Sequence, residues 1–217
     1  MRIKRILPAG IIAGGALLAA TAFTLQSGNN KPFPVPAYQV ARVIDGDTFE
    51  TTEKQLIRLT AIKAPENGLC GSTEAKKALE KLVLKKPIYL KVVYRDSYDR
   101  LISIVYNDKE LVNAAMLKGG FAYYEGNPAG FNDELSKASA EAITSGRGIH
   151  GSPCTQEVNV QQPSCSIKGN IGKEHVYYTD GCYQYKNAVV ELYKGDQWFC
   201  TEAEAQKAGF RKAKQCN

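Results

Sequence analysis

Two aspartates separated by a single glycine, in Asp45-Gly46-Asp47-Thr48, open the stretch of this sequence where side chains could do chemistry. Asp-Gly is favoured in tight hairpins that need a positive φ. The same carboxylate pair could instead face a divalent cation such as Ca2+, which takes oxygen ligands. A second cluster runs through Ile57-Arg58-Leu59 and Ile62-Lys63-Ala64-Pro65-Glu66, placing an arginine inside an apolar strand and a glutamate just past a proline-marked strand end. Turned inward, Arg58 needs an anionic partner; turned outward, it is a solvated surface charge, with Glu66 a loop or first-turn carboxylate. The third cluster, Arg95-Asp96-Ser97-Tyr98-Asp99-Arg100, is a polar turn leading into a strand from Leu101. Each cluster taken singly reads as a solvated turn.

The elements that must hold these clusters are strands first and helices after. Apolar or β-branched runs at 38–44, 48–52, 55–62, 88–94 and 101–106 predict five short strands and a small barrel. Ala75, Ala78, Leu79, Leu82 and Val83 recur at helical spacing, with Ser72 or Thr73 as cap and Glu74 in the first turn. Further helices are expected over 111–118, stopped by Gly119-Gly120, and 132–145, closed by Gly146. The fold class is therefore α+β, an OB-like β-barrel with flanking helices.

Charge alone selects no partner. The chain of 217 residues carries a formal +6, of which Arg2, Lys4 and Arg5 supply three ahead of an acid-free segment. Residues 31–152 hold 17 Lys and Arg against 15 Asp and Glu, too even a balance to mark a polyanion-binding surface.

Taken together, Val43-Ile44-Asp45-Gly46-Asp47-Thr48, Ile57-Arg58-Leu59, Ala64-Pro65-Glu66 and Asp96-x-Tyr98-x-Arg100 resemble, in order and spacing, the signature of the staphylococcal (thermo)nuclease family. The resemblance continues through Val112-Asn113 and Lys118-Gly119-Gly120-Phe121-Ala122 to Gly148-Ile149, so that it covers about residues 37–152. It implies an OB-fold domain, secretion, and endonucleolytic hydrolysis of DNA and RNA phosphodiesters with one Ca2+. By the same resemblance Arg58, Glu66 and Arg100 are the catalytic trio, Asp47 and the Ala64 carbonyl are metal ligands, and Tyr98 contacts a substrate phosphate. A glutamate that deprotonates water beside two guanidiniums that grip phosphate oxygens suits phosphoryl chemistry.

The sequence departs from the family pattern at Lys63, which stands where an aspartate normally binds the cation. An ammonium about 5 Å from a divalent ion costs roughly 6 to 7 kcal/mol at an effective dielectric near 20. Three outcomes are open: Lys63 swings into solvent while Asp45 or water completes the metal shell; its ammonium replaces the metal's charge and binds substrate; or the site has stopped hydrolysing and only binds nucleic acid or another polyanion. Asp99 replaces a common glycine and could pair with Arg100, and Ser97 takes a position that can carry lysine. A non-nucleolytic envelope protein is a third functional class.

Around this domain, 1–27 reads as a signal peptide or N-terminal membrane anchor, with Ile6–Leu25 uncharged and Ala20-Thr21-Ala22 suited to cleavage. The domains are then expected outside the cytoplasm, secreted, periplasmic or membrane-anchored, with DNA and/or RNA as partner and no protein partner deducible. Residues 28–36 and 153–164 read as linkers. Six cysteines in an exported chain favour disulfides: Cys70 with Cys154, and Cys165, Cys182, Cys200 and Cys216 either as two disulfides or as a Zn2+ site. Residues 165–217 form a small module with a capping box at Thr201-x-x-Glu204 and an aromatic core drawn from Tyr177, Tyr178, Tyr183, Tyr185, Trp198, Phe199 and Phe210. Its ending, Phe199-Cys200 through Glu204-Ala205 and Ala208-Gly209-Phe210-Arg211 to Cys216, resembles part of the Ada-type zinc module. His150 and His175 belong to no recognisable motif.

Overall fold

The computed structural model describes residues 37–126, 130–214 and 216. The expected leader and the linker after it, residues 1–36, lie outside the described residues. Lys31–Asn217 forms one compact unit.

Strands β1 (Val40–Val43), β2 (Thr48–Thr51) and β3 (Leu56–Leu59) form a meander, followed by the two-residue β4 (Ile62–Lys63) and helix α1 (Ser72–Val83). Then come β5 (Tyr89–Arg95) and β6 (Leu101–Tyr106), helix α2 (Val112–Lys118), β7 (Tyr123–Tyr124) and helix α3 (Asn132–Thr144). The five-stranded sheet runs β1-β2-β3-β6-β5, with β3 and β6 parallel and its other neighbours antiparallel. The parallel pair is possible because α1 and β5 intervene and supply the long crossover that parallel strands need. The two edges of the sheet touch at one bridge, where Tyr38 and Ile88 exchange backbone bonds of 2.7 and 3.0 Å. The expected barrel is thus a curled sheet pinned at one pair, with no continuous closing ladder among the described residues.

Its core gathers Phe49, Ile57, Leu59 and Ile104 of the sheet with Leu79, Met116 and Leu117 from the helices. On α1 the buried residues are Ala75, Ala78, Leu79 and Val83, the three-and-four spacing that gives a helix one apolar face. Its cap differs from the sequence expectation. Neither Ser72 nor Thr73 caps it; the chain enters through Gly71 at φ 84, with no side-chain cap bond. A Cβ at Gly71 would lie 2.6 Å from Ile149 Cγ2 as well as in left-handed backbone, so close approach sets this residue. Buried Asn113 fastens α2 to the sheet: its Oδ1 accepts the Val105 N–H at 2.9 Å and its Nδ2 donates to the Thr60 carbonyl at 3.0 Å.

The rest of the chain comprises β8 (Thr155–Gln156), β9 (Ile167–Ile171), β10 (His175–Tyr178), β11 (Val190–Glu191), β12 (Gln197–Phe199), helix α4 (Glu202–Lys207) and β13 (Arg211–Lys212). Four of these strands form a sheet in the order β12-β9-β10-β13. Thr201 caps α4 by accepting the Glu204 N–H, and Glu204 reaches back to the Cys200 N–H at 2.9 Å. Tyr177, Phe199 and Phe210 fill the module's core with Ile167 and Ala205. Tyr183, expected there, is exposed. The expected 153–164 linker is structured: β8 within it pairs with β11, and the Trp198 indole donates to Gln156 Oε1 at 2.7 Å.

Disulfides join Cys70 to Cys154, Cys165 to Cys200 and Cys182 to Cys216. With every cysteine bridged, no thiolate remains for Zn2+, and the Ada-type zinc alternative is corrected. The short matched ending is a helix cap and an aromatic contact, features that many small folds share.

Candidate active site

The Asp-Gly-Asp loop between β1 and β2 is wedged against α1. A Cβ on Gly46 would stand 2.5 Å from Ala64 Cβ and 2.6 Å from Ala75 Cβ, so glycine is needed here for close packing; Gly46 is not among the positive-φ residues. Asp45 Oδ1 accepts the Asp47 N–H at 3.0 Å and so fixes the turn. Asp47, only 3% exposed, accepts bonds on both oxygens. Its Oδ1 takes the Arg58 guanidinium and the Thr48 hydroxyl, and its Oδ2 takes the Ala64 N–H at 3.0 Å. Arg58 is therefore turned off the solvent face and held by a buried anion, in a geometry suited to guanidinium and carboxylate. Burial pushes the Asp47 carboxyl up to about 6, with Asp45 adding to the rise, while Arg58 and the Ala64 and Thr48 bonds pull the other way.

Arg58 lies opposite Ile102 in the parallel β3–β6 register. Arg100 comes two residues before Ile102, immediately before β6, so the two arginines belong to neighbouring strands of the sheet. Arg100 is held by Asp96, through Nε at 2.9 Å and Nη2 at 2.8 Å. The sequence expectation that Asp99 could hold Arg100 is corrected: Asp99 sits at φ 63 and pairs with Arg95 at 2.7 Å. Tyr98 is 77% exposed, its ring centroid 5.3 Å from the Arg100 guanidinium carbon.

Glu66 is solvent-facing, and its ion partner is Lys63, with Nζ 3.8 Å from Oε1. Beside it a cleft of about 530 Å³ is lined by Asp45, Pro65, Glu66, Asn67 and the start of α1. Across β4–β7, Lys63 is the register partner of Tyr123. Burial pushes the Tyr123 hydroxyl up to about 12, reinforced by the charges of Glu125, Glu66, Asp47 and Glu191. Tyr123, Thr48 and Asp96 are site neighbours the sequence reading did not assign. Asp96 was within reach of sequence, four residues before Arg100 in a turn; Tyr123 had no local signal.

Ca2+ takes six to eight oxygen ligands, and this donor set does not fit it. Asp47 already binds a guanidinium, Asp45 Oδ1 is spent on the Asp47 N–H, and Glu66 faces an ammonium. Among the described residues no three His, Cys, Asp or Glu side chains converge as a metal-binding group.

An OB-type sheet carrying two carboxylate-held arginines on neighbouring strands is suited to gripping an anion. Residues 56–151 match the family model described as "Staphylococcal nuclease homologue". Similar curated proteins include one from Haemophilus influenzae (strain ATCC 51907 / DSM 11121 / KW20 / Rd), named "Uncharacterized endonuclease", 34% identical over 89 residues, 39% of this chain and 50% of that protein. Another, from Oryza sativa subsp. japonica, is named "Probable staphylococcal-like nuclease CAN1"; it is 35% identical over 101 residues, 45% of this chain and 29% of that protein. Residues 56–151 are thus similar to the staphylococcal nuclease homologues, and the matched stretch spans half the length of these relatives or less.

Proposed function

We propose that the protein is an exported phosphodiester hydrolase acting on DNA and/or RNA. The observation that carries this reading is a pair of arginines on neighbouring strands, each braced by its own carboxylate, Arg58 by Asp47 and Arg100 by Asp96. Two braced guanidiniums can take the non-bridging oxygens of one phosphate and strengthen their bonds as charge builds in the transition state. Glu66 is exposed, and it orients and deprotonates the attacking water. Lys63 supplies a fixed positive charge where the family uses a metal ion, and it releases Glu66 when a phosphate competes for its ammonium. Tyr98, beside Arg100, donates its hydroxyl to the substrate phosphate. Residues 37–152 act as the catalytic domain. The basic, apolar N-terminus and three disulfides support export into an oxidising compartment. Among the described residues no helix is long and apolar enough to cross a membrane.

One observation favours a second reading: Lys63 ties up Glu66 at 3.8 Å. If that pair persists with substrate bound, the domain holds nucleic acid or another polyanion without cutting it.

Cleavage of denatured DNA by residues 31–217, in Ca2+ and in EDTA, beside Glu66→Gln, separates these readings. The expected result is cleavage that persists in EDTA and falls about 10²- to 10⁴-fold in Glu66→Gln. Loss in EDTA that Ca2+ reverses would mean that Lys63 swings clear and a cation enters. Binding without cleavage in both buffers would establish the polyanion-binding reading.

A further inference from the structure

The loop from Glu191 to Gly195 belongs to the C-terminal module, yet it runs along the edge of the candidate active site. Leu192 donates its N–H to the Cys154 carbonyl at 2.8 Å, and Tyr193 is buried with Ile149 and Cys154. A Cβ on Gly195 would lie 3.9 Å from Leu69 Cδ1, and the Leu69 N–H is bonded to the Glu66 carbonyl at 2.9 Å. The loop therefore abuts the turn that carries Glu66. On its other flank the Tyr193 ring stands 5.5 Å from that of Tyr123, the register partner of Lys63. Lys194 completes the arrangement. Its ammonium is 5.4 Å from the centroid of each of these two rings and 2.6 Å from Glu191 Oε2, while Glu191 also accepts the Tyr193 hydroxyl.

From this geometry we infer that Lys194 is a substrate-binding residue, taking a backbone phosphate of a nucleic-acid strand next to the phosphate gripped by Arg58 and Arg100. The C-terminal module is then one wall of the substrate cleft. This rests on the nuclease reading above. An ammonium has three donors, and Glu191 uses one, leaving two for phosphate oxygens. The Lys194 side chain keeps 34% of its surface exposed, so a strand can reach it. Two rings and a carboxylate confine the ammonium, so less side-chain freedom is lost on binding than for an untethered surface lysine. Glu191 balances the charge of the empty site and is a positioning residue in this scheme.

The test uses full-length protein carrying Glu66→Gln, so that a ten-nucleotide single strand is bound without being cut, and titrates it over a range of salt. Adding Lys194→Ala should weaken binding roughly three- to tenfold and lower the slope of log affinity against log salt by about 0.7, one phosphate contact on a single strand. Lys194→Arg should restore both, an outcome that a merely structural role for the loop would not give. In the protein that retains Glu66, Lys194→Ala should raise KM and leave kcat unchanged. Equal affinity and slope with and without Lys194→Ala, in protein that binds the strand, would overturn the inference and leave the nuclease reading standing. Failure of the Glu66→Gln protein itself to bind any strand would overturn both.

Discussion

Asp47 holds Arg58 in place at an electrostatic cost. Burial raises its carboxyl from 3.8 to about 6 although a guanidinium touches it, so desolvation outweighs the attraction. A folded-state value above the unfolded one means that the native protein binds this proton more tightly. The group's stabilising contribution is therefore complete below about pH 4 and is lost as the pH rises through about 6. Asp47→Asn should flatten the dependence of the urea midpoint on pH across that window relative to the parent. An unchanged slope would place the titration elsewhere. Arg58, Glu66 and Lys63 were legible as reactive types because polar residues interrupt apolar strands. The partner of Arg58 was not legible, because it lies 11 residues away across a strand pair.

At the scale of elements, the β5–β6 hairpin and the Asp45–Thr48 loop set the two arginines. Asp96 closes the hairpin turn, accepting the Tyr98 and Arg100 N–H groups at 3.0 Å each as well as the Arg100 side chain. Asp96→Ala should lower cleavage about tenfold or more by freeing Arg100. Asp99→Gly should leave cleavage unchanged, since the Asp99 carboxylate pairs with Arg95 and not with Arg100, and should move stability by less than about 1 kcal/mol, as relief of left-handed strain offsets an exposed ion pair. Gly46→Ala should cost about 1 to 3 kcal/mol in urea unfolding, because its new methyl meets Ala64 and Ala75 at overlapping distance. The five sheet strands and three helices of the central domain could be read from period and punctuation, whereas the C-terminal strands β9, β10, β12 and β13 were not. The demands on Gly46 and Gly71 could not, since both come from chain segments that approach from elsewhere. The β8–β11 pairing was likewise hidden, because two-residue strands carry no periodic signal.

At the scale of the molecule, the disulfides decide what holds together. Cys70 and Cys154 are 84 positions apart, and replacing both with serine should lose roughly 4 to 5 kcal/mol by the chain-entropy account, read as an unfolding midpoint below that of the oxidised parent and above that of the parent under reductant, in which all three bridges are open. The other two bridges interleave, since Cys182 lies between Cys165 and Cys200 while Cys216 lies beyond both. Every peptide bond from 70 to 154 and from 165 to 216 is thus spanned by at least one bridge, and only the stretch between Cys154 and Cys165 is not. That stretch carries exposed Val158 and Val160. A protease that nicks the chain once anywhere else between Cys70 and Cys216 leaves a single covalent molecule, seen as cut only on a reducing gel. Cutting in the unspanned stretch yields two fragments that part on a denaturing gel without reductant, and it is the one place in that span where an external protease could leave the candidate catalytic domain joined to the module by non-covalent contacts alone.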